Sequence, residues 1–314
     1  MIEVKHLTKR YGNCLAVDDL SFSIDKGVIY GFLGPNGAGK STTMNIITGC
    51  LGASSGEVSI DGHNIMEEPD KAKAKIGYLP ELPPLYQEMT AREYLLFVAE
   101  AKGVPKNKRE SQLRSVMERT RIEDISNRLI RNLSKGYRQR VGIAQALLGN
   151  PEVIILDEPT VGLDPKQIIE IRELIRELGK THTIVLSSHI LSEVQAVCDH
   201  IMIISGGKLV ASDTPENLTA LFKGSRELNI GTQAEPEAVN RLLSSIEGIK
   251  DFGVEADEEG CRAKITPEED CDIRAKLSLE FANAGMPLTE LHTRRASLED
   301  IFLELTQSEE VQSE

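Results

Sequence analysis

Gly34-Pro35-Asn36-Gly37-Ala38-Gly39-Lys40-Ser41-Thr42 satisfies the pattern Gly-x4-Gly-Lys-Ser/Thr at every required position. An apolar run enters it, Val28-Ile29-Tyr30-Gly31-Phe32-Leu33, and reads as a buried strand. Residues 40–48 read as the helix that leaves it, with Gly49 as the stop. A strand, loop and helix in this order turn backbone N–H groups inward on phosphate oxygens, and the helix N-terminus adds positive potential. Lys40 is placed to reach the terminal phosphates, and the Ser41 hydroxyl to ligate Mg²⁺. A glycine-rich turn carrying a surface lysine would account for the loop but not for its flanks. The stretch predicts a nucleotide site.

The bulk numbers leave room for more than this one domain. A chain of 314 residues is long for a single core, so one large domain with a smaller one is expected. With 40% apolar and 27% charged residues it has an ordinary globular composition. A formal charge of −13 argues against a nucleic-acid partner, because phosphate backbones demand a basic surface. Five scattered cysteines, none in a Cys-x-x-Cys pair, point to a reducing compartment rather than to disulfides or zinc. Met1-Ile2-Glu3-Val4-Lys5 shows no charged-then-apolar leader region. No apolar run approaches the ~18 residues that cross a bilayer. The expectation is a cytoplasmic protein whose membrane role, if any, requires a partner.

Before the phosphate loop, residues 2–7, 16–24 and 28–33 read as strands, with turns at Gly12-Asn13 and Lys26-Gly27. Tyr11 stands in the first turn, either as core packing or as an aromatic for a purine ring. After the loop, residues 56–62 read as a hairpin and residues 76–79 as another buried strand. From Leu85 to Gly149 helical patterns take over. Thr90-Ala91-Arg92-Glu93 is a capping box that starts one helix carrying Leu95, Leu96 and Val98. A charged amphipathic segment covers 106–120, and Asn132-Leu133-Ser134-Lys135-Gly136 opens a third helix. The sheet resumes at Val153-Ile154-Ile155-Leu156, followed at once by Asp157-Glu158-Pro159. Asp164-Pro165 starts a helix with Asp as cap, and residues 183–186 form a strand ending in Ser187-Ser188-His189. A helix to about residue 198 and strands at 201–204 and 208–210 follow. Alternating strands and helices imply a mainly parallel sheet with right-handed crossovers.

From about residue 226 the texture changes. Strand (226–231), helix (235–246), strand (249–255), strand (261–266), helix (267–284) and strand (287–292) follow the order of a ferredoxin-like split βαβ sandwich. Ser297-Leu298-Glu299-Asp300 caps a short final helix, and 307–314 is an acidic tail. No residue in this module suggests chemistry.

Asp157 ends a buried strand, where an open α/β sheet presents ligands. A carboxylate there can hold Mg²⁺, and Glu158 can aim at the water that attacks a γ-phosphate. His189, at the tip of the next strand, is a donor for the same phosphate. A solvated turn would also accommodate Asp-Glu, but not beside a phosphate loop and ahead of Pro-Thr.

Over roughly residues 1–220 the chain resembles the ATPase subunits of ABC transporters, α/β proteins of the P-loop NTPase fold with a helical subdomain. Residues 34–42 match the Walker A loop, and 153–159 match Walker B with Glu158 as its catalytic glutamate. Leu133-Ser134-Lys135-Gly136-Tyr137-Arg138-Gln139-Arg140 is similar to the family signature Leu-Ser-Gly-Gly-Gln, with Lys135 and Tyr137 as departures. Val161-Gly162-Leu163-Asp164 matches the D-loop, and His189 the switch histidine. The resemblance places Tyr11 on adenine. It implies ATP and Mg²⁺, the metal held by Ser41 and Asp157. After Ile76-Gly77-Tyr78-Leu79-Pro80 the family carries glutamine where this chain has Glu81, a further oxygen near that metal.

The resemblance also implies a homodimer in which Ser134 and Gly136 of one subunit cap ATP on the other, driving an integral membrane permease. That would hold the protein peripherally on the inner face of the cell membrane. Tyr78-Leu79-Pro80-Glu81, Ser187-Ser188-His189-Ile190-Leu191-Ser192-Glu193 and Ser297-Leu298-Glu299-Asp300-Ile301-Phe302 look like the ABC-2 type exporter group. The alternatives are a soluble ABC ATPase acting on a macromolecular complex, or a non-catalytic scaffold. A single cassette without a coiled-coil repeat speaks against the first, and intact Lys40, Asp157, Glu158 and His189 against the second. The expected layout is an ATPase domain over 1–222 with a helical subdomain at 85–149, an accessory domain at 226–306 and the tail at 307–314.

Overall fold

The central parallel strands are buried from end to end because both of their faces are covered. In a computed structural model of the protein, which describes residues 1–221, 226–257, 260–268, 271–295 and 302, every residue of three central strands is buried. The described residues form two compact units that divide after Pro215. The expected cap at Ser297 and the tail at 307–314 lie outside the described residues.

The first unit opens with β1 (Ile2–Tyr11), β2 (Cys14–Ile24) and β3 (Ile29–Leu33), followed by α1 (Lys40–Ile47). Then come β4 (Ser55–Ile60), β5 (His63–Asn64), α2 (Pro69–Ala74) and β6 (Ile76–Leu79). Three helices follow, α3 (Ala91–Ala101), α4 (Lys106–Thr120) and α5 (Lys135–Leu147). The chain returns through β7 (Val153–Leu156), α6 (Pro165–Gly179), β8 (Thr183–Ser188), α7 (Leu191–Val197), β9 (His200–Ser205) and β10 (Lys208–Asp213).

Six strands make one sheet in the order β10-β9-β3-β8-β7-β6. All its pairs are parallel except β10 with β9. Four others make a separate antiparallel sheet, β2-β1-β4-β5. One continuous core runs from Ile2, Leu7 and Leu20 of the antiparallel sheet through Met44 and Ile47 of α1 to Phe32, Ile155 and Val185. Each such side chain contributes about 1.5–3 kcal/mol by leaving water.

Local chemistry sets the helix starts. Thr90 and Glu93 form the reciprocal capping box of α3. Ser134 caps α5 by accepting from the Tyr137 N–H, and Asp164 caps α6 by accepting from the Gln167 N–H. On α3, Leu95 is buried while Leu96 and Val98 are only half-buried; Tyr94 and Ala99 complete its inner face.

The second unit holds α8 (Pro215–Leu221, Pro215 being the last residue of the first unit), β11 (Arg226–Thr232), α9 (Pro236–Ser244), β12 (Ile249–Asp257), β13 (Gly260–Pro267), α10 (Arg274–Asn283) and β14 (Leu288–Arg295). Its sheet runs β12-β13-β11-β14 with every neighbouring pair antiparallel. Its own core gathers Leu228, Ile230, Val239, Leu243, Ile265, Leu277 and Phe281. The helix expected from residue 267 begins only at Arg274. Pro267 instead closes β13 opposite Ile249. Proline, lacking an N–H, fits the first turn of a helix and the end of a strand alike.

Candidate nucleotide site

Parallel register brings four strand ends to one edge. Leu79 pairs with Leu156, Leu156 with Leu186, and Leu33 with Ser188. The segments carrying Glu81, Asp157, His189 and Gly34 therefore leave the sheet side by side.

The phosphate loop ends at Gly39, which caps α1 in the left-handed region at φ 99°. A Cβ there would collide with the Ala16 carbonyl oxygen, so only glycine serves. Lys40 is 6% exposed. Its Nζ donates to the carbonyl oxygens of Gly34 at 2.8 Å and Pro35 at 3.1 Å, and stands 3.7 Å from Glu158 Oε1. Burial pushes the Lys40 pKa below its ordinary value, against the pull of Glu158, Asp157 and Glu81. An ammonium stripped of water in this way is drawn strongly to a phosphate.

Asp157 accepts from Ser187 Oγ at 2.6 Å and from Ser41 Oγ at 3.3 Å. The Glu158 N–H donates to the same Ser187 oxygen at 2.9 Å, so one hydroxyl fixes both acidic residues. Glu158 takes φ 47°, an uncommon conformation for a side chain of its size. Strain of this kind gathers where geometry serves chemistry. His189 Nδ1 lies 3.1 and 3.0 Å from the two Glu158 carboxylate oxygens. With a carboxylate as acceptor, Nδ1 is the nitrogen that carries the proton.

Asn36, Gly37, Gly39, Lys40, Ser41, Thr42, Glu81, Glu158 and His189 line one cavity of about 450 Å³, completed by Ala16 and Val161. Gly34, Pro35 and Ala38 of the same loop are not among the lining residues. Ser134 and Gly136 lie elsewhere, in a second cavity of about 390 Å³ shared with Arg121, Tyr137, Arg140 and Gln167. The two cavities have no lining residue in common. Tyr11 closes β1, is 49% exposed, and carries the Lys9 ammonium 5.3 Å from its ring centroid. It is not part of the cavity lining.

The sequence profile of the ABC transporter family matches residues 17–161. The bacitracin transport ATP-binding protein BcrA of Bacillus licheniformis is 36% identical, covering 97% of this chain and 97% of its own length. The chain belongs to the ATP-binding subunits of ABC transporters. The linearmycin resistance ATP-binding protein LnrL of Bacillus subtilis is 33% identical over 98% of each chain. A dimeric structure of the ATP-binding cassette MJ0796, in a post-hydrolysis state with ADP and Pi, matches with a TM-score of 0.62 at 27% identity. It covers 68% of this chain and 98% of that one.

As an ABC subunit of the exporter type, the protein is an ATPase and ATP is its nucleotide. Its core is the P-loop NTPase fold expected from the phosphate loop. Sequence reasoning did not find the part played by Ser187, nor Ala16 and Val161 in the lining. Ser187 sits in a strand-tip motif, but its two partners are set by cross-strand register, which leaves no local mark. Among the described residues no helix is long and apolar enough to cross a membrane.

Proposed function

We propose that the chain is the ATP-hydrolysing subunit of an ABC-2 type exporter, in which two copies close on two ATPs beneath an integral membrane permease. The convergence of Lys40, Glu158 and His189 on one cavity, with Asp157 bonded to Ser41 of its lining, carries this reading. Residues 34–42 cradle the phosphates, and Lys40 leaves its loop carbonyls for them. Tyr11, exposed at the end of β1, stacks on adenine. Glu158 orients the attacking water and takes up its proton. The His189 Nδ1–H first holds that carboxylate and then donates to the γ-phosphate.

Mg²⁺ fits the donors present. Ser41 Oγ, in the cavity lining, and Asp157 Oδ1, buried behind it, are hard oxygens 3.3 Å apart, and Glu81 lines the same cavity. Mg²⁺ is commonly held by one or two protein oxygens, with phosphate oxygens and water for the rest. When bound, Mg²⁺ would supply positive charge that neutralises the charge building on the phosphates. Ser41 and Asp157 would hold it, with Glu81 as a further oxygen.

The separation of the two cavities supports the dimer. Ser134 and Gly136 stand at the N-terminus of α5, where backbone N–H groups favour an anion. They cap the ATP of a second copy, a reading supported by the dimeric state of the related cassette MJ0796. The helical subdomain at 85–149 passes closure to the permease, which holds the protein peripherally at the membrane. Residues 1–222 make the ATPase domain and 226–306 an accessory one. The antiparallel order β14-β11-β13-β12 supports a ferredoxin-like fold for the latter.

Replacing Glu158 by Gln tests the reading. ATP binding persists, turnover falls by about 10²–10⁴-fold, and the variant accumulates as an ATP-bound dimer in gel filtration. Near-normal turnover in that variant would refute the assignment.

A further inference from the structure

One buried carboxylate in the first unit has no part in the reaction as described. Glu193, in the first turn of α7, is 6% exposed. It does not cap its own helix, since no side chain caps α7. Its Oε2 instead accepts from Thr160 Oγ1 and, at 3.2 Å, from Ser188 Oγ. Both donors are themselves buried, at 5% and 1% exposure. Arg172 Nη2 stands 4.0 Å from the other oxygen, Oε1.

The donors come from the two segments that carry the hydrolytic pair. Thr160 lies two residues after Glu158, and Ser188 immediately precedes His189. The Ser188 hydroxyl also accepts from the Ile190 N–H at 3.0 Å, so it grips the chain on both sides of the histidine. Hydrogen bonds to a carboxylate are stronger than neutral ones, and more so where water is excluded.

We propose that Glu193 is a positioning residue for ATP hydrolysis, holding the Glu158–Thr160 and Ser188–Ile190 segments at the separation where Glu158 and His189 meet. Apart from the Glu158–His189 contact that it positions, the neighbouring bridge is Ser187, which reaches the backbone of Glu158 rather than the turn around His189. The carboxylate is not among the residues that line the phosphate cavity. Its influence falls on the rate of the chemical step and not on ATP affinity. The inference rests on the roles proposed above for Glu158 and His189.

The test is steady-state ATPase kinetics and equilibrium Mg-ATP binding on the full chain, with Glu158→Gln alongside. Glu193→Ala and Thr160→Val are expected to lower kcat by up to about 100-fold, as misplacement by an ångström can, with KM and ATP binding kept. Glu193→Gln, whose amide oxygen still accepts from both hydroxyls, is expected to retain most of kcat. Wild-type turnover in Thr160→Val overturns the proposal, and this variant decides alone if Glu193→Ala does not fold. Equal losses in Glu193→Gln and Glu193→Ala overturn it too, as does a parallel loss of ATP binding, which marks a merely structural role. Full activity in Glu158→Gln removes the underlying assignment and the proposal with it.

Discussion

Asp157 is 2% exposed, yet two hydroxyls of different elements, Ser41 on α1 and Ser187 on β8, point at one of its oxygens. Ser187 has a double duty, donating to the Asp157 carboxylate and accepting from the Glu158 N–H. It is fully buried, so no water can replace it. Ser187→Ala leaves a buried N–H without its acceptor and a buried carboxylate without its shorter bond, at a cost of about 1–3 kcal/mol. Thermal denaturation of the full chain should show the loss, together with a lower kcat, and an unchanged melting temperature would count against the geometry. The acidic residues were legible because Asp-Glu follows an apolar run beside a phosphate loop. The serine was not, because its partners are fixed by the parallel pairing of Leu156 with Leu186. No spacing along one chain segment encodes that.

Among the elements, those with an uninterrupted signal were read nearly to the residue. β7 and α4 fall at their expected bounds, since a continuous apolar run or a helical stripe needs no knowledge of a partner. The antiparallel sheet β2-β1-β4-β5 was not foreseen as a separate layer, because its strands say which face is buried and not which strand lies beside them. The close approach of α5 to β6 was equally hidden. Gly77 passes beneath that helix so tightly that a Cβ would run into the Ala146 carbonyl oxygen. Because the obstacle is backbone, a shift of the whole helix is required to relieve it. Gly77→Ala should therefore destabilise by about 1–3 kcal/mol in urea titration. It should also weaken any assay of dimer formation, since Ser134 caps the same helix. A midpoint equal to wild type would mean that α5 gives way freely.

At the scale of the whole molecule, the break in texture near residue 226 was visible in the sequence as a new order of strands and helices, and the described residues divide after Pro215. Each unit has its own buried cluster, one around Phe32, Met44 and Ile155, the other around Ile230, Leu243 and Phe281. A unit with its own core can fold alone. Every residue lining the phosphate cavity belongs to the first. A fragment of residues 1–222 should then bind Mg-ATP as the full chain does. The comparison is best made through linkage, because a ligand that binds only the folded state stabilises it by an amount set by affinity and concentration alone. At a hundredfold excess over Kd that amount is about 2.7 kcal/mol, enough to move a melting transition visibly. Fragment and full chain should show the same dependence of the shift on ATP concentration. If the second unit lent a group to the nucleotide, the fragment would need about tenfold more ATP for each 1.4 kcal/mol lost. A displacement of that size in the titration would place part of the site beyond residue 222 and end the view of the second unit as an accessory.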